Sequence, residues 1–424
     1  MSTTVGIAML VIGLLVGAGV TYVIAPSLTS GGGGGGTALS GTIPIGALLD
    51  LSGNLADFGT REKVAATMAV ADINAYLAAS GSSVKFNLLV QDTGSDPAKA
   101  LQALQALQSQ GAKVFVGPLS SGEASNILQT ANSNHLVLIS QSSTAISLAI
   151  PDDYLFRLIP NDGAQSLAIA RELTQNGYKD VVIVQRHDTY GDGLANATLN
   201  RFKALGGAAE PLIQYSTTAT DYGPTVSQIL SEYNAAVAKV GASKVAVVAI
   251  SFEEAGQIML TAKSSAAALM SATWFGSDGE ATSTIIANAT TGAGQAAAQV
   301  HLYSSIYAPA SSTKLSDFTN RFKSTSNQTP DPYSASVYDC AWVGALSILA
   351  AQKNDGAAVV KVLPTVANNY YGVSGWTELQ PSGDLAPTLG YDIWSVAVQT
   401  GSPTWVISGH WDPGTDKVSG PAFP

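Results

Sequence analysis

Apolar and polar positions alternate along this chain in blocks that predict strands, each followed by a helix. Short apolar runs at Ile43–Leu49 and Val84–Val90 predict strands. Apolar residues that recur every three or four positions predict helices over Gly59–Ala79 and Pro97–Gln110. Repeated strand–helix units form parallel sheets that helices cover on both faces. The pattern therefore predicts an α/β fold.

A second strand–helix series of similar size follows the first, which predicts two lobes with a cleft between them. Its predicted strands are Val181–Gln185, Ala209–Tyr215, Lys244–Ile250 and Thr273–Gly276, and its predicted helices are Ala164–Asn176, Gly193–Leu205, Gly223–Val240 and Glu254–Ala268. Three further helices are predicted at Leu315–Ser324, Ser334–Ala351 and Ala357–Ala367, and two strands at Tyr391–Gln399 and Thr404–His410. We expect this return to complete the first lobe and then the second, with three crossings. Residues 42–158 and 307–388 would form lobe 1, and residues 159–306 and 389–424 lobe 2.

Hydroxyl side chains follow two successive predicted strands, Val114–Val116 and Leu136–Ile139, at the point where each strand ends. The first strand leads into Ser120 and Ser121, and the second leads into the run from Ser140 to Thr144. Ligands bind at this carboxyl edge of open α/β sheets. Hydroxyls and free N–H groups at helix starts suit a small anion such as a carboxylate. One cluster alone would only cap a helix, but two at matching strand ends favour a site.

The N-terminal segment is uncharged through residue 49, and Val5–Ala25 is an apolar run long enough to cross a bilayer. We expect an uncleaved transmembrane anchor after a short end at residues 1–4; a cleaved signal peptide is the alternative. Residues 26–41 contain six consecutive glycines and predict a flexible linker. We therefore expect a single-pass protein of the cell membrane whose soluble body is extracellular.

Composition narrows the function classes. The net charge of −10 argues against a nucleic-acid partner, and the charged share of only 12% favours an extracellular protein. Cys340 is the only cysteine and the four histidines show no ligand spacing, so we expect no metal site and no cofactor. The chain has no nucleophile elbow and no catalytic triad order, so we expect no enzyme activity. Three triplets that would permit glycans begin at Asn196, Asn288 and Asn327.

From about Thr42 to His410 the chain resembles the extracellular solute-binding proteins of branched-chain amino acid ABC transporters. The motifs that carry this resemblance are Leu51–Gly59, Ala69–Asn74, Val116–Ser121, Leu138–Thr144, Phe156-Arg157 with Pro160–Asp162, Tyr190–Gly193, Asp221–Pro224, Trp274–Gly279, Tyr338-Asp339 and Gly383-Asp384. The resemblance implies the Leu/Ile/Val-type periplasmic-binding fold, type I, with two Rossmann-like lobes joined by a three-crossing hinge. It also implies an amino acid or similar ligand and ABC permease subunits as partners.

The resemblance implies a site for each charged end of an amino acid. Ser121, Ser142 and Thr144 fall where the first lobe of the family holds the α-carboxylate, and Ser120 is a further cleft candidate. Asp278 falls at the acidic position that pairs with the α-ammonium. A buried zwitterion loses its hydration, so each charged end needs a partner of its own.

The resemblance also implies a set of residues around the rest of the ligand. Phe58 falls where an aromatic ring covers the ligand, and Tyr190 falls where a tyrosine of the second lobe closes the cleft. Ser251 falls at a ligand position that is aromatic in many relatives, with Phe252 one step away. That departure leaves branched-chain specificity open. Asp162, beside a predicted crossing, is expected either to line the cleft or to form a turn.

A second function class stays open at this stage. The same fold could serve as a cell-surface or sensory component, with an amide, urea or carboxylate ligand or with none. Fold alone does not decide between these functions.

Overall fold

A computed structural model of the protein describes residues 39–420, and the predicted anchor at Val5–Ala25 lies outside the described residues. The strands are β1 (Gly41–Leu49), β2 (Val84–Asp92), β3 (Val114–Val116), β4 (Val137–Ser140), β5 (Leu155–Arg157), β6 (Asp180–Arg186), β7 (Ala208–Ala209), β8 (Ile213–Tyr215), β9 (Val245–Ile250), β10 (Thr273–Gly276), β11 (Tyr303–Tyr307), β12 (Tyr391–Gln399), β13 (Ser402–Asp412) and β14 (Lys417–Ser419). The α-helices are α1 (Ala56–Ala79), α2 (Pro97–Ser109), α3 (Ser121–Asn134), α4 (Asp162–Gln175), α5 (Thr189–Ala204), α6 (Gly223–Val240), α7 (Ala255–Ser265), α8 (Ala293–Gln299), α9 (Thr313–Ser326), α10 (Pro332–Ala351) and α11 (Gly356–Ala367).

The described strands form two sheets. The first is five-stranded, in the order β2-β1-β3-β4-β5, and all its pairs are parallel. The second is nine-stranded, in the order β14-β13-β12-β11-β10-β9-β6-β7, with β8 also paired to β6. Its strands are parallel from β6 to β11, but β12, β13 and β14 are antiparallel. We call the first sheet with its helices lobe 1, and the second sheet with its helices lobe 2.

The chain returns to lobe 1 after β11 and then goes back to lobe 2. Helix α10 packs on α1, β3 and β4, and α11 packs on α10 and β4. The chain then re-enters lobe 2 as β12, which pairs antiparallel with β11 in the register Tyr303↔Ser395. Three segments therefore pass between the lobes, between β5 and α4, between β11 and α9, and before β12.

A buried ion pair fastens two of these three segments together. Arg157 Nε lies 2.6 Å from Asp384 Oδ1, and both side chains are buried. The guanidinium of Arg157 also donates to the carbonyl oxygens of Ser143 and Ala145, each at 2.9 Å. Asn161 donates to the second carboxylate oxygen of Asp384 at 2.9 Å. A buried charge needs both a counter-ion and hydrogen bonds. The ion pair and its hydrogen bonds therefore hold these two crossing segments together.

The sequence prediction of one strand over Ala209–Tyr215 is wrong. The structure has two short strands there, β7 and β8, with Glu210, Pro211 and Leu212 between them. Proline has no N–H to donate to a neighbouring strand, so it interrupts the ladder. Strand β11 was not predicted because Ser304 and Ser305 break its apolar run, although both serines are buried.

Within the described residues, one helix is long and apolar enough to cross a membrane by length and composition. It is α10, and 78% of its most apolar window is buried inside the fold. A helix that is apolar all round is typical of a protein core. Helix α10 is accordingly the central helix of lobe 1, in contact with α1 on one side and α11 on the other.

Candidate functional site

A narrow cavity lies between the two lobes, with an empty space of about 310 Å³ that includes its mouth. Its walls come from the start of α1, the start of α3, the loop after β4, the loops after β9 and β10, and the first turns of α5 and α10. The lining residues are Leu55, Phe58, Leu119, Ser120, Ser121, Ser142, Tyr190, Phe252, Asp278, Gly279 and Tyr333. The predicted hydroxyl cluster and the predicted acidic position thus face the same space.

The N-terminus of α3 forms one end of this cavity. Ser120 is the N-cap, and its hydroxyl accepts from Glu123 N–H at 3.2 Å while Glu123 accepts from Ser120 N–H at 3.1 Å. The hydroxyl of Ser121 accepts from the N–H groups of Thr144 and Ala145 at 3.1 and 3.0 Å. A hydroxyl has two acceptor sites and one donor, so the remaining capacity of Ser121 is its O–H donor. A donor at a helix N-terminus suits an anion.

The two other predicted hydroxyls differ in their positions. Ser142 lines the cavity, but its hydroxyl donates to the carbonyl of Leu119 at 2.9 Å and therefore keeps only acceptor sites for a ligand. Thr144 lies behind the cavity wall, and its side chain is buried. The Thr144 hydroxyl lies beside the carboxyl of Asp162 without a hydrogen bond of regular geometry.

Asp278 forms the opposite end of the cavity. Its buried carboxylate accepts a hydrogen bond from the Tyr190 hydroxyl at 2.5 Å and another from the Tyr333 hydroxyl. Tyr190 belongs to lobe 2, whereas Tyr333 is in the first turn of α10 and so belongs to lobe 1. Burial raises the pKa of Asp278, and the hydrogen bonds from the two tyrosines oppose that rise. The carboxylate of Asp278 is thus held by both lobes.

Asp162 is a second buried carboxyl close to Asp278. Neither of its carboxylate oxygens has a hydrogen-bond partner within the described part of the chain. Burial first, and then the charge of Asp278, raise its pKa well above the usual value. A buried carboxyl without a partner is costly. Asp162 is not among the residues that line the cavity, so its carboxyl lies behind the wall, near enough to Asp278 to feel its charge.

Aromatic rings form the wall between the two ends. The ring of Phe58 lies 5.7 Å from that of Tyr333, and the ring of Tyr190 stacks on Phe252 at 5.3 Å with an interplanar angle of 28°. The guanidinium of Arg186 lies over the ring of Phe252, 3.5 Å from the ring centroid. These offset and stacked arrangements are favourable for aromatic pairs, so the wall is well packed.

Ser251 lies behind the cavity wall, and Phe252 takes the lining position. The Ser251 hydroxyl forms a hydrogen bond with the Tyr215 hydroxyl, which also donates to Glu254 Oε1 at 2.9 Å. Strand β9 ends at Ile250, so the turn that follows decides which side chain faces the ligand space. The side chain that borders the cavity there is therefore a large aromatic one.

Polar contacts at the rim close the cleft. Asp57 N–H, at the start of α1, donates to Glu253 Oε1 at 3.1 Å. The carboxylate of Asp57 accepts from Thr284 N–H at 2.9 Å and from the Thr284 hydroxyl at 2.6 Å. Glu253 and Thr284 belong to lobe 2, so the structure is the closed form of the cleft. We call the set Asp57, Glu253 and Thr284 the rim latch.

Sequence reasoning missed Tyr333, which hydrogen-bonds to Asp278. One local signal was available, since Asp331-Pro332 combines an N-cap residue with proline at the first helical position. That signal places Tyr333 in the first turn of helix α10. Its contact with Asp278 is a tertiary feature that no local pattern encodes.

Comparisons with known proteins identify the family of this chain. The family model described as the receptor family ligand binding region matches residues 61–399. An uncharacterised protein of Methanocaldococcus jannaschii is 32% identical over 395 residues, which cover 89% of this chain and 91% of that protein. The Leu/Ile/Val-binding protein BraC3 of Rhizobium johnstonii is 29% identical over 197 residues, 45% of this chain and 52% of BraC3. This chain thus matches about half the length of BraC3.

The fold has a close counterpart among solved structures. The leucine-binding protein LivK of Thermotoga maritima superposes with a TM-score of 0.73 at 19% identity, over 88% of this chain and 99% of LivK. At that identity the likeness concerns the fold, which is α/β with two lobes. The chain belongs to the receptor family ligand binding region family and has the type I periplasmic-binding fold.

Proposed function

We propose that this protein is an extracellular solute-binding protein that captures a small amino acid between its lobes and delivers it to an ABC permease. One observation carries the proposal. The cavity has an O–H donor and a helix N-terminus at Ser121 at one end, and the buried carboxyl of Asp278 at the other. These two ends match the carboxylate and the ammonium of an α-amino acid.

The same arrangement explains how a ligand would favour closure. Ser121 belongs to lobe 1, whereas Asp278 belongs to lobe 2 and meets lobe 1 through Tyr333. A zwitterion between them contacts both lobes only when the cleft is closed. Because a ligand shifts an equilibrium by its differential affinity for the two states, such a ligand stabilises the closed form.

Two further observations support the transport role. Relatives and structural neighbours carry names such as Leu/Ile/Val-binding protein and leucine-binding protein, which describe binding and not catalysis. The apolar run Val5–Ala25 and the glycine-rich linker after it would hold the binding lobes close to a membrane. Both features suit a protein that hands its ligand to a membrane permease.

A ligand screen with the full-length protein in detergent tests the proposal. Thermal-shift and calorimetric titrations with amino acids, amides and small carboxylates are expected to identify an α-amino acid as the tightest ligand. If no compound raised the melting temperature or gave a binding heat, a cell-surface role without a ligand would be favoured instead.

Substitution of Asp278 by Asn tests the ammonium end directly. We expect Asp278→Asn to weaken amino acid binding by roughly tenfold to a hundredfold, since a charge-assisted hydrogen bond is worth about 1.5–3 kcal/mol. Asp72→Asn is the matched control, because Asp72 is paired with Arg321 on the surface of lobe 1. An Asp278→Asn protein with unchanged affinity would refute the assignment.

The proposed membrane attachment has a separate test. The full-length protein is expected in the membrane fraction of expressing cells, and a variant without residues 1–25 in the soluble fraction. Recovery of both proteins in the soluble fraction would contradict an uncleaved anchor.

A further inference from the structure

We propose that Phe252 restricts the ligand to an α-amino acid with a very small side chain, such as glycine, alanine or serine. The inference rests on the proposed function, because it concerns the apolar part of the wall of the same cavity. It departs from the branched-chain ligands in the names of the relatives. Three observations carry it: the composition of the cavity wall, the bracing of Phe252, and the size of the space.

The cavity wall determines where a ligand side chain would point. With the carboxylate at Ser121 and the ammonium at Asp278, the polar positions are occupied. The apolar side chains of the lining include Leu55, Phe58 and Phe252. The side chain of a bound amino acid would therefore point toward these three residues.

Phe252 is held on both faces and at its edge. Arg186 lies on one side at 3.5 Å from the ring centroid, and Tyr190 stacks against the ring at 5.3 Å. Gly279 lies at the edge, where a Cβ would be only 2.5 Å from Phe252 Cδ1. Phe252 is 4% exposed. The ring has no free side into which a larger ligand could push it.

Arg186 is itself fixed, so the brace behind Phe252 is rigid. Its Nε lies 2.6 Å from Asp188, and its Nη1 lies 2.5 Å from Glu254. The Tyr215 hydroxyl donates to the same Glu254 oxygen at 2.9 Å. Displacement of Phe252 would require Arg186 to leave a buried ion network, which is costly because charges would lose their partners.

The size of the cavity agrees with a small ligand. In the closed form only about 20 Å³ of the cavity is open to a sphere the size of a water molecule, far below the range of about 300–1,000 Å³ for small-molecule pockets. A leucine or isoleucine side chain would meet the braced ring of Phe252.

Competition between amino acids tests the size limit. The experiment measures, by calorimetry, the affinity of the full-length protein for glycine, alanine, serine, leucine and isoleucine. Alanine is expected to bind at least tenfold more tightly than leucine. Phe252→Ala and Phe252→Leu are expected to shift the leucine-to-alanine affinity ratio toward leucine by tenfold or more, since one methylene group in an apolar pocket is worth about 10–200-fold.

Phe202→Leu is the matched control for Phe252→Leu. Phe202 is a fully buried phenylalanine of lobe 2 that lies outside the cavity lining. The Phe202→Leu variant is expected to have a lower melting temperature but an unchanged leucine-to-alanine affinity ratio. Phe252→Leu keeps an apolar side chain in place and so retains the fold if Phe252→Ala does not.

Arg186→Lys tests the brace as a positioning effect. Lysine keeps the charge but loses the planar guanidinium that stacks on the ring. We expect the leucine-to-alanine affinity ratio to rise by threefold or more, whereas a purely structural role would lower both affinities in parallel. An unchanged ratio would overturn the role of Arg186.

The outcomes separate this inference from the proposed function. Equal affinity of the unmodified protein for leucine and alanine would overturn the size limit and leave amino acid binding intact. An unchanged ratio in both Phe252 variants would overturn the role of Phe252. Absence of binding of every amino acid would overturn the proposed function itself.

Discussion

Glu253 is expected to make ligand binding weaker as the pH rises. In the rim latch its carboxyl accepts from Asp57 N–H across the cleft. Burial first, and then the charge of Asp57, raise the pKa of Glu253 from 4.5 to about 8. When the cleft opens, water reaches the side chain and the pKa returns toward its ordinary value. Closure therefore takes up a proton at every pH between these two values.

The direction and the size of the effect follow from that difference. Below about pH 4.5 Glu253 is protonated in both forms, and closure carries no proton cost; the cost grows as the pH rises and is complete above about 8. At about 1.36 kcal/mol per pKa unit, the upper limit is about 4.8 kcal/mol. Glu253 is only partly buried, so water screens part of its charge, and we expect roughly a tenfold weakening of binding, about 1.4 kcal/mol.

The assay compares the unmodified protein with Glu253→Gln, whose amide oxygen still accepts from Asp57 N–H. The dissociation constant of the tightest amino acid is measured by calorimetry between about pH 4.5 and 8. Asp162 and Asp278 titrate in both proteins, so their effects cancel in the ratio of the two constants. We expect this ratio to be near one at the lowest pH and roughly ten at the highest. A flat ratio, or one that rises toward low pH, would refute the reasoning.

Three further substitutions test the packing around the hinge and the site. Arg157→Ala leaves the buried carboxylate of Asp384 unpaired and is expected to lower the free energy of unfolding in urea by about 3–5 kcal/mol; a loss below about 1 kcal/mol would contradict the role of this ion pair. Gly191→Ala is expected to destabilise the protein, since its Cβ would lie 2.0 Å from the Arg186 carbonyl oxygen. Gly193→Ala, in the same helix with open space around it, is expected to stabilise it by about 0.5–1 kcal/mol, and equal melting temperatures for the two variants would contradict this.

Much of the fold could be predicted from the sequence because its signals are local. Helix α6 and strands β10 and β12 have the predicted bounds, since each is a periodic segment with a clear start and end. Strand β11 was not predicted because the burial of its serines depends on the neighbouring strands, which the local sequence does not show. The short strands β7 and β8 differ from the prediction because one proline outweighs the apolar pattern around it.

The site was harder to predict where it depends on tertiary contacts. Ser121 and Asp278 follow strand ends at the carboxyl edges of the two sheets, so topology alone places them near the cleft. Asp162 is different, because its lack of partners appears only when burial and every neighbour are known. Ser251 and Phe252 are adjacent in the sequence. Side chains alternate between the two faces of a strand, but this alternation no longer predicts which residue faces the cavity once the strand has ended.

The loop after β9 unites the features that matter for the proposed function. Ser251 bonds to Tyr215, Phe252 borders the cavity, Glu253 completes the rim latch, and Glu254 holds the arginine behind the ring. Because these residues are consecutive, a ligand that displaced Phe252 would also draw Glu253 away from Asp57. Selection of the ligand by size and closure of the cleft would then be one event, since a ligand too large for the wall would also prevent the latch from forming.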